Sequence, residues 1–362
     1  MLWEETEGLV DLGTATSTSA PGEYTEKLSM KALLQLLPHA ERGLQELGLD
    51  RMVTDGRNKG MTKRDAMVRD ITALIEYGRQ NHVQDDGVIE VSVTYHYKYT
   101  QLGRRYADAQ VPTLQSMGSG IRKTAGEGTY WDLDFQDCYN TILYAVAKHF
   151  HFPEDLIKLL YDMTEDKDKF RQDVAGFYGC TPKAAKNLLL KHWMGGKVGK
   201  WLKDFDISLD VRARVATEGH HEVVGRLEDA APRVRDLMIA AIPALEPFLE
   251  EVNAERSRAG EQPKTRYTAM SYGLQDIEDK LLAKLQEILK SKGYTVGSLQ
   301  YDGLYVERNG AQGDFPRDLL KEIEAELAKV DVGGGLTVPM KLDEKDVQTP
   351  YGDINTPPRT VN

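Results

Sequence analysis

A short aspartate-bearing strand lies well upstream of an aspartate-bearing strand–turn–strand unit, with a long helix-rich stretch between them, and this arrangement constrains the chain most. Tyr130-Trp-Asp132-Leu-Asp134-Phe reads as a strand running into a helical pattern over Cys138–His149. Val296–Glu307 reads as two apolar strands around Tyr301-Asp302-Gly303, and Asp-Gly is a common tight-turn pair. In between, Phe152–Asp210 is helical with breaks at Gly179–Pro182 and Gly195-Gly196. Residues 211–260 hold further helix broken at Pro243, and Tyr267–Lys292 is a long amphipathic helix. A helix over Phe315–Val330 and a last strand over Leu336–Leu342 complete the pattern. The fold class expected is α+β: an antiparallel sheet backed by helices and interrupted by a helical insertion.

Upstream, residues 1–27 are rich in Thr, Ser, Gly and Glu and read as a loose lead-in. Met30, Leu33, Leu34 and Leu37 mark one helix; Met67, Ile71, Leu74 and Ile75 mark another. Val88–Tyr95 alternates like a strand, and the Pro/Gly-rich tail from Thr349 is expected to be mobile.

Composition narrows the function classes. Hydrophobic residues at 41% and charged residues at 28% are those of an ordinary globular chain, and no apolar run is long enough to span a membrane. The acidic start Met-Leu-Trp-Glu-Glu-Thr-Glu lacks the basic, apolar pattern of a secretory signal. Cys138 and Cys180 make neither a disulfide framework nor a zinc site. An intracellular, cytoplasmic location is expected, in host cytoplasm if the chain is viral. A net charge of −11 argues against a protein coated by nucleic acid. From Thr181 to Lys203, however, lysines stand at 183, 186, 191, 197, 200 and 203 with no acid among them. Such a strip is compatible with phosphate binding at one place, although a solvated helix face is the ordinary reading.

The chemistry-bearing residues are the aspartates. A carboxylate at a strand end can hold a divalent metal, and two-metal phosphoryl transfer needs carboxylates converging on ions ~3.5–4 Å apart. If their strands are neighbours, Asp134 and Asp302 could meet; Asp132 faces the same side as Asp134 in a regular strand. Taken singly, a strand-end Asp is more often a cap and Asp-Gly a plain turn. Thr181-Pro182 reads as a helix start, after which Lys183, Lys186, Leu190 and Met194 share one face. Lysines there can meet phosphates and the apolar groups can cover a base. Ala185, Leu188, Leu189 and His192 would pack inward.

In order, these pieces resemble the polymerase core of the family A DNA polymerases, from about Tyr99 to Asp346. Thr100-Gln-Leu-Gly103-Arg104, Pro112-Thr-Leu-Gln115-Ser-Met and Ile121-Arg122-Lys123 are similar to that family's TGR, PNLQNIP and IRR segment. Asp134-Phe-Gln-Asp-Cys-Tyr139 resembles its DYSQIE. Lys183-Ala-Ala-Lys186 with Met194-Gly195 resembles its RAAK…YG, Ser271-Tyr272-Gly-Leu-Gln-Asp276 its QGTAAD, and Gln300-Tyr301-Asp302-Gly-Leu its VHDEL. Tyr301 and Gly303 stand where the family has His and Glu, Met194 where it has Tyr, and Pro182 at its first Arg.

The resemblance implies a right-hand polymerase. Its parts would be a lead-in at 1–27, a helical thumb-like region at 28–105, palm at 106–160 and 267–348, helical fingers at 161–266 and a mobile tail at 349–362. With so short a stretch before Asp134, no proofreading exonuclease is expected. Asp134 and Asp302, with Asp132 as a plausible third, would hold two Mg²⁺ ions, for which Mn²⁺ could substitute. Lys186 and Lys183 would meet the incoming triphosphate, with Leu190 and Met194 beside it. Tyr139 would collide with a ribose 2′-hydroxyl and so favour dNTPs. Arg104, Gln115, Arg122, Tyr272 and Tyr301 would touch the DNA primer-template. The reading is a DNA-directed DNA polymerase, monomeric, of a phage or plasmid type of replication system, with a replication helicase or primase as an expected partner. A ribonucleotide-using primase or RNA polymerase, and an inactive nucleic-acid-binding palm, remain the alternatives. Whether Asp137 assists the metal site stays open.

Overall fold

The computed structural model describes residues 23–42, 52–53, 58–97, 102–205 and 207–351. Residues 1–22 of the expected lead-in, Thr100 and Gln101, and 352–362 of the tail lie outside them. The chain begins with strand β1 (Glu23–Ser29), helices α1 (Met30–Arg42) and α2 (Lys63–Gln80), and strands β2 (Val88–Tyr97) and β3 (Arg105–Asp108). The three strands form an antiparallel sheet in the order β1-β2-β3. Helix α1 packs on α2, with Leu33, Leu36, Ile71 and Leu74 wholly buried. Thr62 opens α2 by accepting from the Asp65 amide at 3.0 Å, which satisfies one free helix N–H.

After helix α3 (Ser119–Gly126) come strand β4 (Tyr130–Phe135) and helix α4 (Cys138–His149). A helical block follows: α5 (Glu154–Glu165), α6 (Lys167–Tyr178), α7 (Pro182–Trp193), α8 (Val198–Asp204), α9 (Leu209–Glu218), α10 (Glu222–Ala241) and α11 (Leu245–Arg258). Gly179 ends α6 in the left-handed conformation, φ 62°, and a break falls between Ala241 and Leu245, around Pro243. The 26-residue α12 (Arg266–Ser291) leads into β5 (Val296–Gln300), β6 (Gly303–Glu307), α13 (Arg317–Leu327) and β7 (Leu342–Lys345). The second sheet is antiparallel in the order β5-β6-β4-β7, so the helical block interrupts it between β4 and β5. The expected α+β class and helical insertion are both present.

Helix α12 is the spine: it packs on α4, α10, α11, α13 and β5. Two consecutive ion pairs dock the start of β3 onto it, Arg104 to Glu278 at 2.6 Å and Arg105 to Asp279 at 2.8 Å. Trp131, Leu133 and Phe135 of β4 face one side of the sheet, and Trp131 meets Phe315 and Tyr294 edge-on.

Three expectations are corrected. Residues 23–27 are not loose; they form most of β1. The alternation Tyr24-Glu26-Leu28 points inward, and a charged residue at the middle inward position hides it. The region 28–105 is accordingly not simply helical, since β2 pairs with β1 along the length of β1. The last strand starts at Leu342 rather than Leu336. Leu336, Val338 and Met340 are buried alternately, but Pro339 lacks the N–H a ladder needs, and the Met340 amide bonds to Val338 instead. At the tail, Thr349 is bonded to Thr124 at 2.8 Å and Tyr351 lies on Gly120.

Glu26 is wholly buried yet satisfied: it accepts from the Leu114 amide at 2.6 Å, Ser298 Oγ at 2.7 Å and Tyr95 Oη at 3.3 Å. Burial still raises its carboxyl from 4.5 to about 7. A raised carboxyl favours the fold while protonated, so its contribution is full below pH 4.5 and lost as pH rises through 7. Urea unfolding at pH 4.5 and 8.5 should show wild type losing on the order of 3 kcal/mol more than Glu26→Gln across that interval. Equal losses in the two proteins would contradict this account of Glu26.

Candidate active site

Antiparallel pairing of β4 with β6 sets the two aspartate segments side by side. Asp134 stands opposite Gly303, and the Phe135 amide donates to the Asp302 carbonyl at 2.8 Å. Gly303 permits that approach. A methyl on its Cα would sit 2.5 Å from the Leu133 carbonyl oxygen and 2.8 Å from Asp134 Oδ1. The chain reverses through Tyr301, a non-glycine residue at φ 55°. A left-handed backbone there costs roughly 1–3 kcal/mol and persists only where the surroundings impose it.

Asp132 and Asp134 share a face of β4, and both are buried. Burial, and then the charge of Asp302, push the Asp134 carboxyl up to about 7. Burial raises Asp132 to about 6 against the pull of Lys345, Arg122 and Lys123. Lys345, opposite Asp132 on β7, makes an ion pair with Asp134 and lies in the field of Asp302 and Asp132. Among the described residues no group of three or more His, Cys, Asp or Glu side chains is arranged as a ready-made metal cage. The arrangement is thus a carboxylate pair with Asp132 one strand position behind. Asp137 caps α4 in the left-handed conformation, and its carboxylate is held by Arg171 and by Asn140 Nδ2 at 3.0 Å. Oxygen-only donors carrying like charge, brought together against one ammonium, suit a hard divalent cation.

Helix α7 presents the face its sequence spacing predicts. Thr181 caps it by accepting from the Ala184 amide at 3.2 Å, with Pro182 in the first turn. Lys183 and Lys186 are exposed, Leu190 and Met194 half-buried, and Ala185, Leu188, Leu189 and His192 buried. Gly195, at φ 74°, has no room for a Cβ because the Tyr267 ring would lie 2.5 Å away, so the end of α7 seats on α12. Lys183, at the start of α7, and Tyr301, at the turn, both line one cleft of about 760 Å³ between α2 and α3.

The residues read as primer-template contacts behave differently from one another. Tyr301 is exposed beside Asp302. Gln115 is buried, accepting from the Ala107 amide at 2.8 Å and donating to the Leu299 and Arg105 carbonyls at 3.2 and 3.3 Å. It staples β3 to β5 and does not stand on a surface that a nucleic acid would meet. Arg122 Nη1 donates to Gln300 Oε1 at 2.9 Å, beside the turn. Tyr272 is half-buried against Gly103 and the Phe248 ring. Arg104 is committed inward: Nε and Nη2 donate to Glu278 at 2.6 and 2.8 Å, and Nη2 also donates to Tyr139 Oη at 2.8 Å.

Sequence reading missed Glu278 and Lys345. Glu278 falls in the buried stripe of α12 with Met270, Leu274, Ile277 and Leu281, and a carboxylate at that spacing is the signal that could find it. Lys345 follows no pattern; only the pairing of β7 with β4 brings it to Asp134.

No family model matches this chain, and no curated protein matches it in sequence. Among solved structures, it is similar to the POL domain of Pol1 from M. smegmatis, in complex with DNA primer-template and dNTP. The TM-score is 0.46 and the identity 12%, over 89% of this chain and 67% of that one. Likeness at that level carries no function across.

Gly303→Ala should lower the unfolding free energy by about 1–3 kcal/mol, because the new methyl meets backbone that cannot move aside. Gly118→Ala, where a Cβ meets nothing within 4 Å, is the control and should stay near wild type in the same denaturant titration. Equal stability of the two variants would show that the turn is not as tightly apposed to β4 as described.

Proposed function

We propose that the chain is a template-directed DNA polymerase that extends a primer with dNTPs by two-metal nucleotidyl transfer. The observation that carries this reading is the meeting of Asp134 with the Asp302 turn, beside a cleft lined by both Tyr301 and Lys183. In this reading 106–160 and 267–348 form a palm and 161–266 the fingers. The region 28–105, part sheet and part helix, would flank the nucleic acid.

The primer 3′-oxygen attacks the α-phosphorus of the nucleotide, and the bond to pyrophosphate breaks. Asp134 and Asp302 would hold Mg²⁺ or Mn²⁺, which when bound supplies Lewis-acid stabilisation of the entering and leaving oxygens. Lys345 would have to leave Asp134 as that site fills. Lys186 and Lys183 offset the charge that grows on pyrophosphate, and their exposure on the α7 face leaves both ammonium groups accessible. Leu190 and Met194 offer apolar surface to the base. Tyr139 closes the sugar side, where its ring excludes a 2′-hydroxyl. Tyr301 stands at the turn where the primer end must arrive.

Extension of a 5′-labelled primer on a longer DNA template tests the reading. Wild type with Mg²⁺ and dNTPs should extend. Asp134→Asn and Asp302→Asn should each cost on the order of 10³-fold or more, since each removes several kcal/mol of charge stabilisation. Lys186→Ala should raise the dNTP KM by roughly tenfold, the effect of one charge-assisted phosphate contact. Extension with rNTPs in place of dNTPs would move the assignment to an RNA-making enzyme. DNA binding with no extension from either pool would make the chain a binding module.

A further inference from the structure

We infer that the buried Glu278–Arg104 ion pair sets sugar selection by holding Tyr139 in place, so that Glu278 and Arg104 are positioning residues for choosing deoxynucleotides over ribonucleotides. This rests on the polymerase reading above. Three distant segments meet at one point: Arg104 just before β3, Tyr139 in the first turn of α4, and Glu278 in the middle of α12. The guanidinium donates to both carboxylate oxygens, at 2.6 and 2.8 Å, and to Tyr139 Oη at 2.8 Å. Its carbon lies 5.6 Å from the centre of the Tyr139 ring and 5.2 Å from that of Tyr301. The Cys138 thiol, next to Tyr139 in the chain, points at the same carboxylate, 3.7 Å from Glu278 Oε2.

Stability alone is a poor explanation for this pair. Glu278 is wholly buried, and removing two charges from water is often no more favourable than packing an apolar pair of the same volume. Such a pair does fix geometry. A forked, charge-assisted contact allows the guanidinium few orientations, and the third bond passes that constraint to the phenol. Tyr139 is only half-buried, so packing by itself does not enclose its ring. The Tyr301 ring, beside the Asp302 turn, is set by the same cation. Arg104 thus changes role, from a strand contact to the bracket between the sugar side and the turn.

The test is single-nucleotide insertion by wild type, Glu278→Gln, Tyr139→Phe and the double variant, each with a dNTP and the matching rNTP. The readout is the ratio of the two kcat/KM values. Each single variant should lower the ratio about tenfold, the effect of one hydrogen bond to a charged group. The double should fall no further than the worse single, because both act through one contact. A merely structural role would slow both nucleotides together and leave the ratio unmoved. Tyr139→Phe keeps the ring and removes only the acceptor of Arg104, so an unchanged ratio in that variant overturns the inference even if Glu278→Gln folds poorly. Wild type that extends but shows no ratio change in either single variant sinks this inference alone. Wild type that inserts neither nucleotide sinks it together with the polymerase reading.

Discussion

Asp134 and Asp302 repel each other at the end of the β4–β6 pair, where protein has replaced much of the screening water. Burial, and then that repulsion, push the Asp134 carboxyl up to about 7. The local structure accepts the repulsion in specific ways. Gly303 removes the side chain that would hold the turn off β4, and Tyr301 adopts a left-handed backbone to make the reversal. Lys345 comes from the edge strand to pair with Asp134. A bare fold would gain by separating these groups, and the proposed cation site rests on that apposition.

The rest of the molecule holds that apposition rigid. A polar line runs from Glu26 on β1 through Ser298 on β5 to Gln300, and from Gln300 to Arg122 beside the turn. It ties the three-stranded sheet to the strand that leads into Tyr301-Asp302. From the other side, α12 fixes Arg104 and Arg105, and with them the path into β3. The N-terminal sheet is therefore a support for the aspartate turn.

Much of this was legible in the sequence because it depends on period and punctuation. The helix Cys138–His149, the strand pair around Asp302-Gly303 and the inner face of α7 follow from apolar spacing, from the Thr181-Pro182 start and from the Asp-Gly turn. What stayed hidden depends on tertiary pairing. β1 escaped because Glu26 occupies an inward position that apolar patterning expects to be hydrophobic, and its partners lie at 95, 114 and 298. Lys345 meets Asp134 only through strand order. Arg104 and Gln115 look from sequence like free polar groups, yet both turn inward to partners that no local pattern announces.

The most direct measurement is calorimetric titration of Mn²⁺ into the protein without nucleotide or DNA, at a pH above 8 where Asp134 is ionised. The account predicts a binding isotherm for wild type that is abolished in both Asp134→Asn and Asp302→Asn, with the same buffer and salt. An isotherm that survives either substitution, or none in wild type, would show that the carboxylate pair is not a cation site.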